Sequence, residues 1–200
     1  MFLIKEDFWQ VMATKEKGLG IFCKKEIKAG IIIGDYLGKV IKTARYNLEN
    51  DKKGLYLMYL TDQASIYPNL KKPGIHLLNH SCTPNCWIYT FRGHTLFFAL
   101  IKIKPGEELT ISYLLSPKDE TCKNCPHDCK CESKFCTGTM HLSKLRYEKW
   151  QNFQNKKKRK TKTPKVIFGK NLPKFAVYPN TIPLDPIYNK LRGGHRSNPI

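Results

Sequence analysis

Five of the chain's eight cysteines crowd into one short stretch: Cys122, Cys125, Cys129, Cys131 and Cys136, with gaps of two, three, one and four residues. Gaps this short suit metal thiolates better than the long-loop bridges of a secreted disulfide framework. The residues between them include Lys123, Asn124, Asp128, Lys130, Glu132 and Lys134, which are too polar to build an apolar core. The segment therefore needs an ion to fold around. Zinc takes four soft or borderline ligands in a tetrahedron. Cys129, Cys131 and Cys136 supply three in a C-x-C-x4-C array, and the fourth is open among Cys82, Cys122, Cys125, His127 and His141. A site closed by Cys122 or Cys125 is purely local. One closed by Cys82 locks the segment onto the stretch NHSCTPNC (residues 79–86) and makes its folding metal-dependent.

Charge bounds the partners. Lys plus Arg exceeds Asp plus Glu by 35 − 16 = +19 over 200 residues, enough chain for one domain and extras. Such a balance favours acidic or nucleic-acid-bound partners. It is concentrated between Lys156 and Lys165, where Lys156-Lys157-Lys158-Arg159-Lys160 opens a run that reads as a nuclear-localisation signal, a DNA-phosphate contact or a solvated linker. No stretch approaches the ~20 apolar residues of a membrane span, so no membrane partner is expected. Residues 1–10 carry Glu6 and Asp7 and do not read as a signal peptide.

Along the chain, β-branched and aromatic runs bounded by turns predict short strands over residues 8–12, 21–23, 31–33, 35–41, 55–60, 87–91, 95–103 and 109–113. Arg92-Gly93-His94 marks a hairpin, and Pro105-Gly106 a turn. Gly18-Leu19-Gly20 is a glycine-flanked bend that serves a tight turn as readily as a close ligand. Residues 43–53 and 143–155 read as helices, the second with Leu145, Trp150 and Phe153 partly on one side. Beyond residue 166 recurrent prolines predict an extended tail that drapes over the domain or awaits a partner. The class is mainly β with few helices.

Four ordered motifs, KGLGIF (17–22), GDYLGKVI (34–41), NHSCTPNC with EELTISY (107–113), and CKCESKFCTG (129–138), resemble those of SET-domain protein lysine methyltransferases with a zinc-binding post-SET segment. The resemblance implies a SET (β-clip-like) fold of small curled sheets whose C-terminal segment threads a loop as a pseudoknot, plus a zinc-stabilised post-SET loop. It divides the chain into a SET domain (6–116), a post-SET segment (121–142) and a basic, proline-containing tail (143–200). It implies that Lys17, Gly18 and Leu19 contact S-adenosylmethionine largely through backbone, with Tyr56, His76, Asn79 and His80 completing the cofactor site. Tyr113 is then the catalytic tyrosine and Tyr36 a wall of the lysine channel. Cys82, Cys129, Cys131 and Cys136 hold a structural zinc, and residues 137–142 help close the pocket. Leu19 replaces a frequent aromatic, His76 a frequent Arg, and Lys39 a frequent acid, while Ile111 and Ser112 stand where many relatives have an aromatic and Asp.

The implied reaction is methyl transfer from a sulfonium to a neutral lysine amine. The implied partner is a histone or other basic protein tail in a nucleus or chromosome, a host's nucleus where the source is a virus or bacterium. Glu107, Glu108 and Asp119 are local acids available to attract it, and nucleosomal DNA is a second attraction. The alternatives are a non-histone lysine substrate, or a non-catalytic zinc module that binds chromatin or nucleic acid.

Overall fold

The computed structural model describes residues 1–43, 56–119, 122, 125–158 and 165–182. The helix expected over 43–53 lies outside them, apart from its first residue. The strands are β1 (Trp9–Ala13), β2 (Leu19–Cys23), β3 (Ile32–Asp35), β4 (Lys39–Lys42), β5 (Met58–Thr61), β6 (Ala64–Tyr67), β7 (Asn79–His80), β8 (Cys86–Phe91), β9 (His94–Ala99) and β10 (Thr110–Ile111). They form four small sheets: β1-β2, β10-β7, β3-β9-β8 and β4-β6-β5. One α-helix, α1 (Lys144–Lys158), follows. No described helix is long and apolar enough to cross a membrane.

Strand β9 explains the core. It lies between β3 and β8 and is buried along its whole length, which is why Leu96 to Ala99 run apolar instead of alternating. Its side chains still alternate in direction. Phe97 enters one core with Ile21, Ile33, Tyr36, Ile66 and Leu109, while Leu96 and Phe98 enter a second with Ile32, Trp87 and Leu100. The two-residue loop joining β8 to β9 has positive φ at both Arg92 (48°) and Gly93 (83°), the twist-matched hairpin turn.

The expected 35–41 strand is interrupted and resumes at Lys39. At Gly38 an added Cβ would fall 2.2 Å from the Tyr67 carbonyl oxygen, so the chain bends there against β6. The expected 55–60 strand begins only at Met58, and Tyr56 precedes it in a helical turn.

The C-terminal segment resolves one alternative. Residues 165–182 lie along the domain: Val40 N–H donates to Lys170 O (2.9 Å), Ile32 N–H to Asn180 O (2.9 Å) and Ile182 N–H to Gly30 O (3.0 Å). Ile182 is 4 % exposed and joins the second core. Tyr178 donates its hydroxyl to Asp35 Oδ2 (2.9 Å), an oxygen shared with His94 Nδ1 (2.7 Å). Helix α1 is capped by Ser143, whose Oγ accepts from Arg146 N–H (3.4 Å). Leu145, expected on its packed side, is 61 % exposed.

Candidate methyl-donor pocket and metal centre

The site is assembled by a parallel pairing. Strand β10 lies beside β7 with Thr110 opposite Asn79 and Ile111 opposite His80. Asn85 clamps the pair: its Nδ2 donates to Glu108 O (2.7 Å), and its Oδ1 accepts from Thr110 N–H (2.8 Å). Asn85 was visible in its motif, but sequence reasoning assigned it no role.

His80 is the junction. It is 5 % exposed. Its Nδ1 accepts from Tyr113 N–H (3.1 Å), so the ring hydrogen sits on Nε2, which faces Cys82 Sγ at 3.6 Å. Burial first, then the Lys17 charge, holds its pKa down to about 4. A neutral imidazole thus donates to one thiol and receives the backbone that carries Tyr113.

The Cys82 sulfur stands in turn 3.6 Å from that of Cys129. The sulfurs of Cys82, Cys129, Cys131 and Cys136 all lie within 4.8 Å of one another. A tetrahedral zinc with bonds near ~2.3 Å places its sulfurs about 3.8 Å apart, whereas a disulfide needs about 2.05 Å. All four thiols are free, so the donor set fits zinc. The loop is shaped for it. Gly138 N–H donates to Cys136 Sγ (3.4 Å), and Glu132 and Gly138 take positive φ of 54° and 72°. Burial opposes the Cys131 thiolate, but hydrogen bonds from Cys82, Ser133 and the neighbouring thiols hold its pKa down to about 7. Burial pushes the Cys129 thiol up.

On the other side of His80 the glycine-flanked bend forms an edge. Thr14 Oγ1 donates to Gly18 O (2.9 Å) and accepts from Lys17 N–H (2.9 Å), closing the bend. Gly18 has φ of +73°, and a Cβ placed there would meet nothing within 4 Å. Leu19 beside it is 53 % exposed. Gly20 is the opposite case: its Cβ would fall 2.6 Å from Glu108 Oε1 and 2.9 Å from Asn79 Nδ2. Asn79 Nδ2 donates both to Leu19 O (3.0 Å) and to Glu108 Oε1 (2.8 Å). Glu108 also pairs with Lys17, their side chains 16 % and 17 % exposed. The expectation that Glu108 is a free acid for an incoming peptide is therefore wrong. The sequence reports its charge but not its direction, and it points inward to hold the bend. Glu107 Oε2 accepts from Lys104 N–H (2.8 Å).

Three phenols complete the neighbourhood. Tyr113 donates its hydroxyl to Leu78 O (3.2 Å), and its ring meets that of His80 edge-on at 5.4 Å. Tyr36 donates to the Tyr56 carbonyl. Burial, and then neighbouring phenols, push the pKa of both Tyr36 and Tyr113 upward, so both stay protonated. His76 lies in a turn, its ring edge-on to Tyr56 at 5.5 Å, with its pKa held down to about 4 chiefly by burial. Cys23 and Cys86 are buried core thiols, 1 % and 0 % exposed.

Residues 18–114 match the family model of the SET domain. Among curated proteins the chain is 31 % identical over 140 residues to the histone-lysine N-methyltransferase trithorax of Drosophila virilis, covering 66 % of this chain and 4 % of that protein. It is 29 % identical over 169 residues to the human histone-lysine N-methyltransferase, H3 lysine-36 specific, covering 77 % and 6 %. With the human histone-lysine N-methyltransferase 2B the identity is 32 % over 128 residues, covering 60 % and 5 %. The chain thus spans only a small part of the length of these relatives.

Proposed function

The chain belongs to the SET-domain family, its domain spanning residues 18–114, and on that premise we propose that it is an S-adenosylmethionine-dependent protein-lysine N-methyltransferase acting on a histone lysine in chromatin. The observation that carries this reading is the double engagement of His80, which ties the Tyr113 backbone to Cys82 within the thiol cluster. The zinc-binding loop, the methyl-donor edge and the candidate catalytic phenol are thereby one assembly.

The open backbone edge at Gly18 and Leu19, beside Lys17 and Asn79, is the part of the fold suited to the cofactor. His76 and Tyr56, whose rings meet edge-on, are assigned to the same cofactor site. The Asn79 and His80 side chains are already bonded within the protein, so their share in binding is carried by backbone and by position. When bound, the cofactor supplies a methyl group on a sulfonium. The lysine amine must arrive neutral although its free pKa is about 10.4, and a narrow channel of buried aromatics disfavours the ammonium.

Tyr36 and Tyr113 each spend their hydrogen on a backbone carbonyl. Their oxygens therefore present lone pairs, which accept an amine N–H and aim the nitrogen's own lone pair along the transfer axis. Positioning of this kind is the main catalytic contribution. Zinc, held by Cys82, Cys129, Cys131 and Cys136, is structural.

With Glu108 turned inward, Glu107 and Asp119 are the two of the three local acids left exposed to a basic tail. The run from Lys156 to Lys165 adds a DNA-phosphate contact, so nucleosomes are the better substrate. This run begins in the last turn of α1, and residues 159–164 lie outside the described residues.

Transfer of radiolabelled methyl groups onto nucleosomes and separate histones, followed by mass spectrometry, tests the reading. Label on a histone lysine, stronger on nucleosomes at low salt, is expected. Label only on other proteins moves the substrate outside chromatin. DNA binding without cofactor uptake in calorimetry overturns the enzyme.

A further inference from the structure

A second set of metal donors lies at the base of the same segment. Cys122 Sγ, Cys125 Sγ and a ring nitrogen of His141 lie within 4.8 Å of one another. The His141 ring is oriented: Nδ1 lies 2.6 Å from Ser116 O, which can only accept. The hydrogen is therefore on Nδ1, and the Nε2 lone pair faces Cys125 Sγ at 3.3 Å. A carbonyl on the far nitrogen is the usual way a metal-ligating imidazole is held in its tautomer. The ring of His127 meets that of His141 edge-on at 5.1 Å. Its Nδ1 is enclosed and has no hydrogen-bond partner among the described residues. An enclosed unpaired nitrogen costs about 1–3 kcal/mol, which a ligand bond would remove.

We infer that Cys122, Cys125 and His141, whose donor atoms already converge, hold a second zinc ion separate from the four-thiolate site, with His127, which lies outside that converging set, turning in as the fourth ligand. Two thiolates and two imidazoles form a standard closed tetrahedral set for zinc, and C-x2-C is a usual spacing. The turn between the two thiols is already made, with Cys125 N–H donating to Cys122 O (3.3 Å).

The placement gives the ion a purpose. Residues 127–129 pair with 138–140 through Met140 N–H to His127 O (2.8 Å) and Cys129 N–H to Gly138 O (3.1 Å). The four-thiolate cluster closes the outer end of this pairing and the second set its inner end. There Leu142 N–H donates to Leu115 O (3.1 Å), two residues after Tyr113. A segment without an apolar core is then fixed at both ends, and the inner ion sets how it leaves the SET domain.

Metal counting on the full chain tests this, after washing with a weak chelator and measuring by plasma mass spectrometry. Two zinc ions per chain are expected, falling to one in Cys122→Ser/Cys125→Ser and to one in Cys129→Ser. Cobalt substitution separates the sites where a variant folds poorly. The thiolate charge-transfer absorption of the ion lost in the double variant should be about half that of the ion lost in Cys129→Ser. His127→Ala should weaken the second equivalent by about 10–100-fold, and His127→Cys should restore it with added charge-transfer intensity. One zinc in the unaltered chain, or a second zinc that survives Cys122→Ser/Cys125→Ser, overturns the site. Unchanged affinity in His127→Ala overturns the fourth ligand. The count needs no methyl transfer, so it stands or falls independently of the activity.

Discussion

The ion pair between Lys17 and Glu108 offers a quantitative test of how the candidate methyl-donor edge is held. Glu108 meets the Lys17 ammonium with one oxygen and the Asn79 amide (2.8 Å) with the other. An exposed pair is worth about 0–1 kcal/mol, and breaking a buried one costs about 3–5 kcal/mol. With 17 % and 16 % of the two side chains exposed, the coupling should fall between these limits, at about 2 kcal/mol. Glu108→Gln keeps an acceptor for Asn79 and should cost about that amount. Glu108→Ala also strands the amide and should cost about 3 kcal/mol, adding roughly one lost hydrogen bond. Urea unfolding of the parent, Lys17→Met, Glu108→Gln and the double variant closes a cycle. Glu108→Ala should also bind S-adenosylhomocysteine more weakly in calorimetry, because Asn79, left without its Glu108 acceptor, no longer fixes the Leu19 carbonyl. A coupling below about 0.5 kcal/mol, with unchanged m-values, would refute the account of Glu108 as an inward strut.

Three other outcomes follow from the geometry. Tyr113→Phe loses the bond to Leu78 O (3.2 Å), so stability should drop by about 1 kcal/mol while methyl transfer falls by about 100-fold or more; near-parental turnover in a folded variant removes its assigned role. His80 and His76 are held down to about 4, chiefly by burial. Between pH 6.5 and about 4 the unfolded chain therefore binds more protons than the folded one, and stability is lost as pH falls through that window. His76→Gln should flatten the slope of urea midpoint against pH, and a midpoint that does not decline toward pH 4.5 contradicts the assignment. Gly38→Ala sets a Cβ 2.2 Å from the Tyr67 carbonyl oxygen. It should cost about 2 kcal/mol or more in urea unfolding, and a parental midpoint would show that the bend tolerates a side chain.

The thiol cluster was the most legible part of the candidate site: spacing alone grouped Cys129, Cys131 and Cys136, whereas the approach of Cys82 to them came only with the fold. The β8-β9 hairpin was legible too, since Arg92-Gly93 names its own turn. Its second strand ends at Ala99 rather than at residue 103, because Ile103 leaves to pair with Ile27. Strand β6 was missed: Ser65, though buried, reads as a polar interruption in so short a run. The parallel β7-β10 contact joins residues about thirty apart through two-residue strands, and no local pattern announces such a pair. The inward turn of Glu108 and the imidazole tautomers depend on partners that only the fold assembles. Motif resemblance pointed to Asn79, His80 and Tyr113, but it gave no hint that His80 is engaged on both nitrogens.

Residues 170–182 have a consequence for how copies of this molecule meet. Strand β3 is an outer strand of its sheet, and unpaired outer strands recruit strands from other molecules. Here that rim is occupied from within, by Asn180 and Ile182 beside residues 30–32 and by residues 1–4 beside Ile33 to Asp35. A chain cut before residue 170 would bare the stretch of rim at residues 30–32 and the apolar seat of Ile182 together. It would gather into larger species as concentration rises, a change visible in light scattering.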